Sequence, residues 1–211
     1  MLMKSIYASA ATLSVNLGLK KDFFNSLIKE DDWSFIIKLH SLFEAVCTNL
    51  IIFHFQEQSL VSVISHLELS NTRVGKIAFL EALGLLGKNQ RKFIKALSEL
   101  RNQLVHNVSN CSFDLKLFVS IMNDKEIKNF TETFSPHEVV TIDKNKKLAL
   151  KKIDEFEMKK LTNRARRNPK LHIWVGAHNI LCDIGDMRGY SEYKQWEKAK
   201  KIIFEDGNDG D

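Results

Sequence analysis

The stretch Asp31-Asp32-Trp33-Ser34-Phe35-Ile36-Ile37-Lys38-Leu39-His40-Ser41-Leu42-Phe43-Glu44-Ala45-Val46-Cys47-Thr48-Asn49-Leu50-Ile51-Ile52-Phe53-His54-Phe55-Gln56 decides the fold. Asp31 and Asp32 carry side chains that cap a helix N-terminus, and a long helix is expected from there to about Gln56. Ile36, Leu39, Phe43, Val46, Leu50 and Phe53 recur at alternating steps of three and four, an apolar seam of bundle type. At ~1.5 Å per residue such a helix reaches roughly 40 Å, enough to be the spine of a domain. Phe35, Leu42, Ile51 and Phe55 widen the apolar surface beyond one seam. The helix is therefore either central to a bundle or shared with a second protomer.

The rest of the chain agrees with a helical spine. Only 9 Gly and 2 Pro occur in 211 residues, too few for the tight turns of sandwiches, barrels or Gly-cradled nucleotide folds. Further helices are expected at 60–67, from a Ser70-Asn71-Thr72 cap to Gly87, from Gly87 to about Asn107, at 113–122 and at 125–130. Residues 134–147, around Pro136, read as a linker, with Val139-Val140-Thr141-Ile142 as a short strand or an anchored loop. A basic helix is expected at 146–167, ending before Pro169, followed by helices at 171–187 and 191–204. The expected fold class is all-α, an antiparallel helical bundle with a basic C-terminal helical extension. Residues 1–19 read as an N-terminal helix, 20–135 as the bundle, 136–205 as the extension and 206–211 as a disordered acidic tail.

Charge is unevenly spread. The chain carries 31 Lys+Arg against 26 Asp+Glu, a net +5. Between Asp31 and Leu69 there are five acids and one base, whereas Lys144 to Lys170 holds eleven bases and three acids. Cys47, Cys111 and Cys182 are odd in number and widely spaced, the pattern of reduced thiols in a cytoplasmic protein. The run from Asn49 to Phe55 is too short to span a bilayer, so no membrane association is expected.

The stretch that carries chemistry is Arg101-Asn102-Gln103-Leu104-Val105-His106, at the C-terminal end of the fifth expected helix. On a helical wheel Phe93, Leu97, Leu100, Leu104 and Val108 form the core stripe. Asn102 and His106 lie one turn apart on the opposite face, with Arg101 beside the stripe. One regular helix does not easily aim Arg101 and His106 at the same atom; a frayed last turn or a second copy of the helix does. The bland alternative is that cations simply favour the last turn of a helix, with Asn107 as an ordinary helix stop.

The Arg-Asn-x-x-x-His spacing resembles the signature of HEPN domains, small helical modules that include metal-independent ribonucleases of toxin–antitoxin and defence systems. The preceding Val74-Gly75-Lys76-Ile77 to Leu83-Gly84-Leu85-Leu86 helix is also similar to that of mannitol-repressor-type regulators. The resemblance covers about residues 31–120. It implies a bundle dimerised so that two motif helices face each other, no cofactor or metal, and, in catalytic members, RNA cleavage restrained by an antitoxin or regulatory partner. His106 would then be the general acid/base, Arg101 would hold the phosphate and its developing charge, and Asn102 would orient His106 or the substrate. The mannitol-repressor likeness implies instead a non-enzymatic regulator that uses the apolar face of residues 36–55 to bind itself or another protein.

Outside the resemblance, Lys151, Lys152, Lys159, Lys160, Arg164, Arg166 and Arg167 form a candidate nucleic-acid-binding face. The competing reading is a solvated helix face turned to the acidic half of the protein. The stretch lacks the aromatic interleaving of a stacking platform. His172, His178, Cys182 and Asp183 place only two potential ligands on one helix face, and no metal is expected.

Overall fold

The computed structural model describes residues 15, 17–106, 111–135, 139–142, 148–151 and 154–185. In chain order its elements are α1 (Phe23–Ser26), α2 (Asp32–Phe55), α3 (Val61–Ile64), α4 (Lys76–Ala82), α5 (Lys88–Val105), α6 (Leu115–Ser120), α7 (Asp124–Phe134), a hairpin of β1 (Val139–Ile142) and β2 (Leu148–Lys151), α8 (Glu155–Arg167) and α9 (residues 169–185). The fold is an all-α bundle with this one small hairpin attached. The expected helix at 191–204, the acidic tail and nearly all of the expected N-terminal helix lie outside the described residues.

Local chemistry sets the helix starts. Asp31 accepts from the backbone N–H of Ser34 at 2.8 Å and begins α2. Asn123 accepts from the N–H groups of Lys125 and Glu126, and Glu126 returns the bond to the N–H of Asn123, a reciprocal capping box at α7. Asp154 caps α8 through the N–H of Glu157. Asn168 accepts from the N–H of Leu171, with Pro169 at the first helical position, where its missing N–H costs nothing.

The spine is central to the bundle. Ile36, Leu39, Phe43, Val46 and Leu50 are all buried, as are Phe35, Leu42 and Ile51. Most of the apolar face of residues 36–55 is thus taken up by the core, while Phe55 at its end is 47% exposed. By length and composition α2 could cross a membrane, yet 61% of its apolar window is buried inside the bundle. α5 packs antiparallel to α2. The Phe43 and Phe93 rings meet at 5.5 Å between centroids, and Trp33 Nε1 donates to the carbonyl of Leu104 at 3.4 Å.

Three expectations need correction. The basic helix does not begin at Lys146: Leu148–Lys151 pairs antiparallel with Val139–Ile142, and the helix starts at the Asp154 cap. Here β-ladder pairing across the 134–147 segment overrides the charge pattern. The helix expected from the Ser70-Asn71-Thr72 cap starts only at Lys76, because the Asn71 side chain accepts from the N–H groups of Arg73 and Val74 and closes a turn instead. Lastly, α9 is part of the bundle core rather than an extension from it. Ile173, Ala177, Ile180, Leu181 and Ile184 of α9 belong to the same core as α2 and α5. The Trp174 ring stacks on Phe24 at 4.9 Å, and its Nε1 donates to the Phe24 carbonyl.

Candidate functional site

α5 carries the motif because its inward stripe, Phe93, Ile94, Leu97, Leu100 and Leu104, is locked into the core and fixes the helix rotation. His106 follows as the C-cap residue and is exposed. Asn102 is exposed and Arg101 half-buried, and Arg101 Nη1 donates to Asn102 Oδ1 at 3.1 Å. Asn102 thus holds the guanidinium; the resemblance implies that it orients His106 or the substrate. No hydrogen bond among the described residues joins Arg101 to His106, in keeping with their different directions on the wheel.

Arg101 has inward neighbours that the sequence did not connect to it. The Trp33–Leu104 and Phe43–Phe93 contacts set the α2–α5 register, which brings His40 to the level of Leu97 and within a turn of Arg101. His40 is buried, and burial holds its imidazole pKa below the ordinary value; Glu44 opposes this shift, while Arg101 and Lys76 reinforce it. Lys76 is completely buried, and its ammonium donates to Glu44 Oε1 at 2.9 Å and to the Ser65 carbonyl at 3.2 Å. His40, Glu44, Lys76 and Arg101 thus form a polar band behind the motif. No local spacing signals it, since Lys76 and Glu44 are 32 positions apart.

The motif lies at the end of the bundle where α2 begins and α8 ends. Trp33, which holds Leu104, follows Asp32, and Asp32 pairs with Lys170 Nζ at 2.7 Å and accepts from the N–H of Leu115. Lys170 sits three residues beyond Arg167, the end of α8. The C-terminal ends of α5 and α8 are therefore held at one end of the molecule by a short chain of contacts.

The candidate basic residues are not all presented alike. Lys159, Lys160, Arg166 and Arg167 are exposed on α8, although Arg166 Nη2 also donates to Asp124 Oδ1 at 3.2 Å. Arg164 turns inward, donating through Nε to His172 Nδ1 at 3.4 Å, and is not presented to a phosphate. Lys151 ends β2, and Lys152 lies outside the described residues. Phe156 is not among the candidate site residues read from the sequence; it is 66% exposed, with Lys160 Nζ 4.1 Å from its ring centroid.

The four potential metal ligands near the C-terminus are engaged in three different places. His172 lies in the Arg164 network, Asp183 accepts from Gln90 Nε2, and His178 stacks on Trp174 with Cys182 Sγ 3.8 Å away. Among the described residues no group of three or more His, Cys, Asp or Glu is arranged to hold a metal ion. A groove of about 430 Å³ runs between α5, α6 and α7, lined by Leu100, Gln103, Phe118, Met122 and Phe130. Ile121 stands on its rim at 83% exposure. No family model, no curated protein and no solved structure matches this chain.

Proposed function

We propose that this chain is a metal-independent endoribonuclease of HEPN-like type, acting as a cytoplasmic homodimer under the control of a regulatory protein partner. One observation carries the proposal: an exposed His106 caps the motif helix at the same end of the bundle as the exposed Arg167 of α8, with Arg101 held one turn earlier by Asn102. In the reaction the 2′-oxygen of a ribose attacks the adjacent phosphorus and loses its proton to a base. The bond to the 5′-oxygen breaks, and that oxygen takes up a proton. The products are a 2′,3′-cyclic phosphate and a 5′-hydroxyl. Imidazole suits proton transfer near neutral pH, and the planar guanidinium of Arg101 suits the charge developing on the phosphate.

The test is cleavage of mixed cellular RNA by purified protein in EDTA, with His106→Ala and Arg101→Ala variants of matched fold. Cleavage by the parent alone, leaving 2′,3′-cyclic ends, is the expected result. Equal cleavage by the parent and the His106→Ala variant sinks the assignment.

A second reading, a non-enzymatic regulator or protein-interaction module, is favoured by a different feature. Leu117 and Ile121 are 68% and 83% exposed beside the α5–α6–α7 groove. Exposed apolar side chains clustered at a groove are a common mark of a protein-binding surface. Parent protein that leaves RNA intact in EDTA and in magnesium alike would favour this reading.

A further inference from the structure

We propose that the outward face of α8 is a binding ridge for single-stranded nucleic acid, with Phe156 as its base-stacking platform. The choice of RNA as the natural ligand rests on the ribonuclease proposal above, but the ridge itself does not depend on cleavage.

Helical spacing builds the ridge. At about 100° per residue, Phe156, Lys160, Asn163 and Arg167, at i, i+4, i+7 and i+11, fall in one line along the helix. Ala165, completely buried, lies on the opposite side, so the line points away from the core. All four residues are exposed, and Lys159 and Arg166 flank the same line. The acids of α8, Glu155 and Glu157, lie in its first turn, off the line. The stripe therefore carries cations and one aromatic ring without a carboxylate on it.

An exposed phenylalanine is costly to leave in water. Here the ring is kept outward, with the Lys160 ammonium drawn to its face at 4.1 Å. An aromatic ring with cations along the same line is the combination that binds unpaired strands: the ring stacks a base and the cations follow the phosphates. A duplex satisfies only the cations, because its base faces are already stacked. The cations on the stripe select a polyanion, and the outward ring selects one whose bases are unstacked. The Arg167 end of the ridge leads toward Lys170 and Asp32, and so toward the end of α5 that carries His106. A strand lying on the ridge is thereby directed toward the motif.

The experiment uses full-length protein carrying His106→Ala, so that cleavage cannot remove the probe. Fluorescein-labelled oligouridylate and an RNA duplex of equal length are titrated by anisotropy at several salt concentrations. Phe156→Ala is expected to weaken single-strand binding about tenfold and to leave duplex binding unchanged. Phe156→Trp is expected to retain affinity and to add tryptophan emission that the strand quenches, which a merely structural role for the ring would not produce. Lys160→Ala with Arg167→Ala should flatten the salt slope by about 0.7 per lost phosphate contact. These side chains are exposed, and a melting curve for each variant confirms an intact fold.

Equal single-strand affinity for Phe156→Ala and the parent overturns the proposal. So does an unquenched Phe156→Trp, or binding to phosphatidylserine vesicles without binding to RNA. If Phe156 governs binding but the parent does not cleave, the ridge stands and the ribonuclease reading falls. If the parent cleaves and Phe156→Ala binds as tightly, the reverse holds.

Discussion

Arg164 donates through Nε to Nδ1 of the completely buried His172 at 3.4 Å, and this fixes the tautomer of the imidazole. A guanidinium can only donate, so Nδ1 must accept and Nε2 must carry the proton. Nε2 lies 3.2 Å from the Thr131 carbonyl, which also accepts from Ser135 Oγ at 2.6 Å. One basic residue of α8 is thereby bound into the joint between α7, α8 and α9, while its neighbours on the helix face solvent.

Arg164 and Arg167 are thus expected to behave oppositely when removed. Arg164→Ala leaves a buried imidazole nitrogen without its donor, at a cost of about 1–3 kcal/mol. Arg167→Ala leaves stability within about 0.5 kcal/mol of the parent and weakens single-strand binding. Urea denaturation and RNA titration of the two variants separate these roles. Equal loss of stability in both would contradict the placement of Arg164.

α9 reaches the core because residue 176 has no side chain. A Cβ on Gly176 would collide with the carbonyl oxygen of Phe134 and come within 3.0 Å of the Phe93 ring. The backbone oxygen cannot swing aside, so Gly176→Ala is expected to destabilise by about 3 kcal/mol, at the upper end of overpacking costs. A melting temperature equal to that of the parent would show that α9 docks less closely.

The Lys76–Glu44 pair is asymmetric, and the asymmetry predicts an order of effects. The Lys76 side chain is fully buried, whereas that of Glu44 is 40% exposed. Glu44→Ala strands a buried ammonium beside one carbonyl, at a cost of about 1–3 kcal/mol. Lys76→Met removes the charge, keeps an apolar stem of similar length and leaves Glu44 able to hydrate. Glu44→Ala should therefore be the more destabilising variant in chemical denaturation; the opposite order would place the charge elsewhere.

Two histidines make stability depend on pH in a defined direction. Burial is the main cause that lowers the pKa of both His40 and His178 below 6.5; Glu44 opposes it at His40 and Asn179 at His178. Arg101 and Lys76 add to the lowering at His40. As pH falls below about 6.5, the unfolded chain takes up protons that the folded chain refuses, so stability falls. It levels off only below the folded-state pKa values and is fully present above about 6.5. Urea midpoints measured from about pH 8 down to pH 5 should decline below 6.5, and His40→Gln should flatten that decline. A midpoint that rises on acidification would overturn the assignment.

The sequence by itself determined the helices that rest on neighbours a few positions away. The seam of Ile36, Leu39, Phe43, Val46 and Leu50 lies within one helix, and the Asp31 cap reaches only to Ser34. Period and capping are local properties, so they can be read without knowing what packs opposite. The same holds for the motif: its place at the end of α5 and the divergence of Arg101 from His106 follow from a wheel.

Tertiary structure alone decided where charge is buried and which apolar surface is left open. Lys76 reads as an ordinary lysine until α2 supplies Glu44 and the chain after α3 supplies the Ser65 carbonyl. Arg164 and Arg167 are equivalent in composition, but the joint with α7 and α9 captures one and leaves the other in water. Phe156 is apolar, yet the helix rotation that buries Ala165 turns it outward. In each case the deciding partner is distant in sequence, and desolvation depends on the sum of all neighbours in space, which no local pattern encodes.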